Sequence, residues 1–151
     1  MGLNKKKIIR KLIFISAISG LVFLSLFLSL KKEAKEVILG GQKFSLELAV
    51  SPEQHYKGLS GREYLCNNCG MLFLFDTLAP KTFVMREMLL PLDIIFINGG
   101  VVVDIYKNLP PEGKMAKNAY HSSGNVDSVI EINGGRADEI GLKIGDHIIL
   151  E

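Results

Sequence analysis

The sequence predicts an α+β, mainly β fold: a small, partly closed β-barrel-like domain with two short helices, preceded by one N-terminal transmembrane helix. Three observations lead there. Seven or eight short apolar or alternating runs are separated by glycine and proline turns, without regular strand–helix alternation. Only two short segments carry the signals that open or close a helix. Residues 12–30, LIFISAISGLVFLSLFLSL, form a run of 19 residues without a charge.

That run nearly spans a hydrocarbon core of about 30 Å at about 1.5 Å per helical residue. It is longer than the apolar part of a cleaved signal peptide, roughly 7–15 residues, and it runs into KKEAKE rather than a small-residue cleavage site. No cysteine lies near its end for lipid attachment. Lys5, Lys6, Lys7, Arg10 and Lys11 precede it, whereas Lys31, Lys32 and Lys35 after it are diluted by Glu33 and Glu36. The bias places the N-terminus inside. The expected organisation is a basic cytoplasmic tail (1–11), a signal-anchor in the cell membrane (12–30), a tether or first strand (31–42) and an extracytoplasmic β-rich domain (43–151).

The formal charge of +2 belongs to the membrane end. Residues 31–151 hold 13 basic and 16 acidic side chains, 13 − 16 = −3, so the outer domain has no electrostatic footprint for nucleic acid. The membrane is the one partner that the sequence identifies directly.

The elements follow in order. EVIL and KFSLELAV flank Gly40-Gly41 as a hairpin, and alternation puts Phe44, Leu46, Leu48 and Val50 on one face. Ser51 as N-cap, Pro52 in the first turn and Glu53 near the positive helix end predict a short helix over about 52–60. GMLFLFD is an apolar strand, Asp76 to Lys81 a turn with Pro80, and TFVMREM a further strand. LDIIFI follows Pro91, and Asn98-Gly99-Gly100 turns it into VVVDIYKN. Pro110-Pro111 open a loop to about Asn118. The tail reads as a strand broken at Asn133-Gly134-Gly135, one helical turn over Arg136 to Ile140 closed by Gly141, a turn at Gly145-Asp146, and HIIL.

Residues 43–151 resemble the family called domain of unknown function 192, an uncharacterised protein family. The resemblance rests on Gly58, Leu59 and Arg62; Gly70, Met71, Phe73 and Phe75; Phe83, Met85, Arg86, Met88, Pro91, Leu92 and Asp93; and Glu131, Gly135, Gly145 and Asp146. Val84 stands where the family usually has tryptophan, and the cysteine pair is outside its pattern. The resemblance implies a compact β-rich domain, often carrying a signal or anchor, and no established reaction.

Cys66 and Cys69, in YLCNNCG, are the chain's two cysteines. A redox C-x-x-C usually opens a helix, but here a strand comes next; a zinc site needs two more ligands, with His55 and His121 the candidates. In an oxidising compartment a disulfide that braces the loop is the default. Met71, Met85 and Met88 offer thioethers to copper, but methionines beside Leu and Phe more often fill core. Asp93 opens a buried-looking strand, so it needs a partner, and Arg62 and Arg86 are the available guanidinium groups. A cleft using Arg62, Met85, Arg86, Asp93 and Glu131 to hold a small polar ligand is the functional expectation. His121-Ser122-Ser123 reads as a solvated loop, without a nucleophile elbow.

The sequence thus predicts a membrane-anchored envelope domain that binds a small ligand or a protein partner without catalysis, cofactor or metal. The alternatives are an enzyme using Asp93 and Glu131 as acid and base, or a copper, zinc or redox protein using Cys66 and Cys69.

Overall fold

A computed structural model describes residues 34–150. The expected membrane span, 12–30, lies outside the described residues. Among the described residues no helix is long and apolar enough to cross a membrane.

The elements are β1 (Ala34–Leu39), β2 (Gln42–Ala49), α1 (Pro52–Lys57), β3 (Cys69–Ala79), β4 (Thr82–Phe83), β5 (Leu92–Asn98), β6 (Val101–Leu109), β7 (Tyr120–His121), β8 (Val126–Asn133), α2 (Arg136–Glu139) and β9 (Ile149–Leu150). Among the described residues the fold is mainly β with two short helices, as the sequence predicts. Seven strands form one sheet in the order β6-β5-β8-β3-β2-β1-β9, and β4 and β7 form a separate pair. Neighbours in the large sheet run antiparallel except β2 and β3, which are parallel because α1 and its loop carry the chain back across.

The sheet is not closed into a barrel, which corrects the sequence expectation. An isolated bridge joins Val101 to His147, and the Ile148 amide donates to the Gly100 carbonyl at 2.8 Å. The strand that would extend this seam, β9, is two residues long.

Both faces of the sheet are covered, which explains why β5 is buried at six consecutive residues, Leu92 to Ile97. One face packs Phe44, Leu46, Leu72, Ile95, Ile130 and Ile132 against Ala137, Ile140 and Leu142. The other packs Met71, Phe73, Ile94, Phe96 and Val129 under Leu59, Leu65, Met85 and Met88. Gly70 lets β3 approach β8 and β2 closely: a Cβ there would stand 2.2 Å from the Glu131 carbonyl oxygen and 2.9 Å from Leu46 Cδ2.

The short helix α1 starts where expected. Ser51 Oγ accepts from the Gln54 amide at 3.3 Å, and Gln54 Oε1 accepts from the Ser51 amide at 2.9 Å, a capping box. It stops at Gly58, short of residue 60. The predicted strand TFVMREM is a second correction, since only Thr82 and Phe83 are strand. Glu87 takes a positive φ of 55°, and the Met88 amide turns back to the Met85 carbonyl at 3.4 Å. That bend buries Met85 and Met88 in one cluster, where a regular strand would have put them on opposite faces. The expected turn over Asp76 to Lys81 is also shorter, because β3 continues through Ala79 with a register shift against β8 after Leu74.

Candidate functional site

The end of α1, the bend after β4 and the middle of β8 meet over the second face of the sheet. Glu131 lies in β8 opposite Met71 of β3 and Ile94 of β5, so its side chain stands among apolar neighbours. It is 5% exposed, and its Oε2 has no hydrogen-bond partner. Above it opens a cavity of about 250 Å³, lined by His55, Tyr56, Gly58, Phe73, Phe75, Phe83 and Met88, with Lys57, Lys81 and Arg86 among its walls.

Each wall has a local cause. The ring of His55 reaches back to the Ala49 carbonyl through Nε2 at 2.9 Å and lies 4.7 Å from the Phe75 ring. Phe73 and Phe83 meet edge to face at 4.9 Å, and Phe83 continues that contact to Phe96 at 5.8 Å. Gly58 takes φ 49°, which suits glycine at a helix end. Its missing side chain also leaves room beside the carboxyl: a Cβ there would stand 3.6 Å from Glu131 Oε2 and 3.4 Å from Phe73 Cζ.

The cations are held without closing the pocket. The Arg86 guanidinium lies 4.0 Å over the Tyr56 ring and donates through Nη2 to the Tyr56 carbonyl at 3.0 Å, while its buried Nε has no hydrogen-bond partner. The Lys81 ammonium sits 4.2 Å over the Phe75 ring. Arg62 is engaged elsewhere, donating to both carboxylate oxygens of Glu47 at 2.5 and 2.6 Å. Burial pushes the Glu131 carboxyl up to about 8, against the opposing pull of the Arg62 charge. At neutral pH the floor of the pocket is therefore a neutral acid, able to donate one hydrogen bond and accept another.

The residues predicted to form the site separate. Arg86 and Glu131 share the pocket, with Arg62 close enough to influence Glu131. Met85, fully buried, belongs to the core. Asp93 is a correction. It pairs with neither arginine and does not face the pocket, but accepts three backbone amides: Oδ1 from Asn108 at 2.6 Å and Gly135 at 2.8 Å, and Oδ2 from Ala137 at 2.6 Å. It ties the start of α2 and the end of β6 to β5, so the Asp93–Glu131 acid–base pair does not form.

Cys66 and Cys69 are joined as a disulfide that ties the preceding loop to the first residue of β3. Neither then offers a thiolate to a metal, and among the described residues no three His, Cys, Asp or Glu side chains stand together as a metal site. His121 Nδ1 faces Thr82 Oγ1 at 2.9 Å across the β4–β7 pair. Sequence reasoning missed His55, Lys81 and the three phenylalanines as pocket walls. The signal was present in part: Phe73, Phe75, Phe83, Arg86, Met88, Gly58 and Glu131 all belong to the motif positions that carry the family resemblance. Val84, the departure from that pattern, lines the same pocket.

The sequence profile of the family of domain of unknown function 192, described as an uncharacterized ACR, matches residues 35–150. Two crystal structures are similar. One is a protein of Sinorhizobium meliloti 1021, provisionally described as a transcription regulator: 30% identity, TM-score 0.73, covering 79% of this chain and 95% of that one. The other is a protein of unknown function from Novosphingobium aromaticivorans DSM 12444: 32% identity, TM-score 0.68, covering 78% and 84%. None of the curated proteins matches the chain.

Proposed function

The chain belongs to the uncharacterised family of domain of unknown function 192, and from that premise we propose that it is a membrane-anchored, extracytoplasmic domain that binds a small organic molecule over Glu131. The anchor is the apolar run 12–30, whose flanking charges favour an outward domain. One observation carries the ligand site: the buried Glu131 Oε2 without a partner at the floor of an open pocket. A buried polar atom left unpaired costs about 1–3 kcal/mol. An apolar side chain in the middle of β8 would avoid that cost, so a carboxyl kept there fits a residue whose partner arrives from outside.

DNA is not proposed as the partner, despite the description of the Sinorhizobium protein. Residues 31–151 balance to −3, and the cations near the pocket are too few for a backbone-tracking surface.

The test uses the full chain in mild detergent, incubated with the small-molecule fraction of a cell extract, gel-filtered and denatured, with released compounds read by mass spectrometry. Wild type is expected to retain at least one compound that Glu131→Leu loses by about tenfold, while Glu131→Leu folds more stably. Identical profiles from the two proteins would contradict the reading. A second reading, a general acid–base enzyme, draws on the raised pKa of Glu131 alone. It predicts chemical conversion of the compound by wild type and none by Glu131→Gln, whereas the binding reading predicts retention by both and conversion by neither.

A further inference from the structure

The charges around the pocket say more than that a molecule fits. Glu131 is the single acidic side chain among the pocket-lining residues, against Lys57, Lys81 and Arg86. Glu47 is bound to Arg62. Glu87 approaches Arg86 Nε no closer than 3.9 Å and lines the neighbouring cavity instead. The guanidinium of Arg86 thus keeps a buried donor, Nε, without a hydrogen bond, at the rim of a pocket whose floor also lacks a partner.

Resting on the binding reading above, we infer that the ligand is a small organic carboxylate with an apolar body. Its carboxylate lies toward Arg86 and Lys81, its body against Phe73 and Phe83, and an uncharged acceptor or its own second oxygen toward Glu131. A guanidinium with donors to spare suits a planar carboxylate. The aromatic walls suit the body: Phe73 and Phe83 both line the pocket, and the faces of Phe75 and Tyr56 are already covered by Lys81 and Arg86. A phosphate dianion fits less well. The part of α1 at the pocket is its carbonyl end, His55 to Gly58, and not its amide end. An ammonium ligand would enter between three cations and find a carboxyl that burial keeps protonated.

This assignment sets a pH dependence. The charged and titratable groups that share the pocket with Glu131 are His55, Tyr56 and Lys57 from α1, Lys81 before β4 and Arg86 after it, with Arg62 acting from the loop after α1. None of them is acidic. Ionisation of Glu131 as pH rises through about 8 places a negative charge beside the ligand's own and weakens binding.

The experiment compares three probes that share a phenyl ring, benzoate, benzamide and benzylammonium, on the full chain in mild detergent by ligand-observed NMR. At pH 6.5 benzoate should bind about tenfold more tightly than benzamide, and benzylammonium more weakly than either. Arg86→Gln should remove most of the benzoate preference and leave benzamide nearly unchanged; Lys81→Gln provides a second variant if the first fails to fold. Raising the pH to 9 should weaken benzoate for wild type and not for Glu131→Gln. Benzylammonium binding at least as tightly as benzoate would overturn the carboxylate assignment and leave the pocket reading standing. Binding of none of the three would overturn both.

Discussion

Asp93 and Glu131 are both carboxyl groups buried in the same sheet, and their neighbours give them opposite roles. Asp93 faces three amide N–H groups, which satisfy its charge. Glu131 faces methionine and phenylalanine, and stays unpaired. The sequence marked both as site residues, because residue type and an apolar setting are equally visible for each. What separates them is remote: the amides of Gly135 and Ala137 lie 42 and 44 positions from Asp93. The two roles predict different variants. Asp93→Asn keeps one acceptor oxygen but turns an NH2 group toward N–H donors. Chemical denaturation should show a loss of about 2–4 kcal/mol. Wild-type stability would mean that those amides do not depend on the carboxylate.

At the scale of the element, legibility followed period and caps. The hairpins at Gly40-Gly41 and Gly99-Gly100, the capped start of α1 and the turn at α2 stand where the pattern puts them. The segment after β4 does not, and the reason is tertiary. The Glu87 amide donates to Gly113 and the Glu112 amide to Met85, at 3.0 and 3.1 Å, so the 110–118 loop shapes the bend. That loop is itself gathered by the Glu112 carboxylate, which accepts from the Lys117 amide at 2.6 Å and is held below the usual carboxylate range by that bond. No local periodicity reports such pairings. The parallel contact of β2 with β3 was hidden likewise, although Gly70 stands opposite Leu46 in that pair and leaves room for its side chain. Gly70→Ala should therefore push β3 off β8, with a loss of about 1–3 kcal/mol or more by denaturation, because its nearest obstacle is backbone. An unchanged midpoint would show that the strands are not so tightly set.

At the scale of the whole molecule, stability against pH turns on a proton balance. Glu131 has an ordinary value of 4.5 in the unfolded chain and about 8 when folded. Between those values the native state binds a proton that the unfolded state has released, so stability is full below about 4.5 and falls as pH rises toward 8. Each pH unit between the two values corresponds to about 1.4 kcal/mol, so the fall attributable to this one group is on the order of several kcal/mol. Other groups titrate over the same range, and Glu131→Gln subtracts them. Residues 33–151, which form one compact unit with both core clusters, suit the comparison. The decisive measurement is the stability of wild type and Glu131→Gln by chemical denaturation from pH 5 to pH 8.5. A gap that widens steadily in favour of Glu131→Gln is the predicted result; two parallel profiles would contradict a neutral, unpartnered carboxyl at the floor of the pocket.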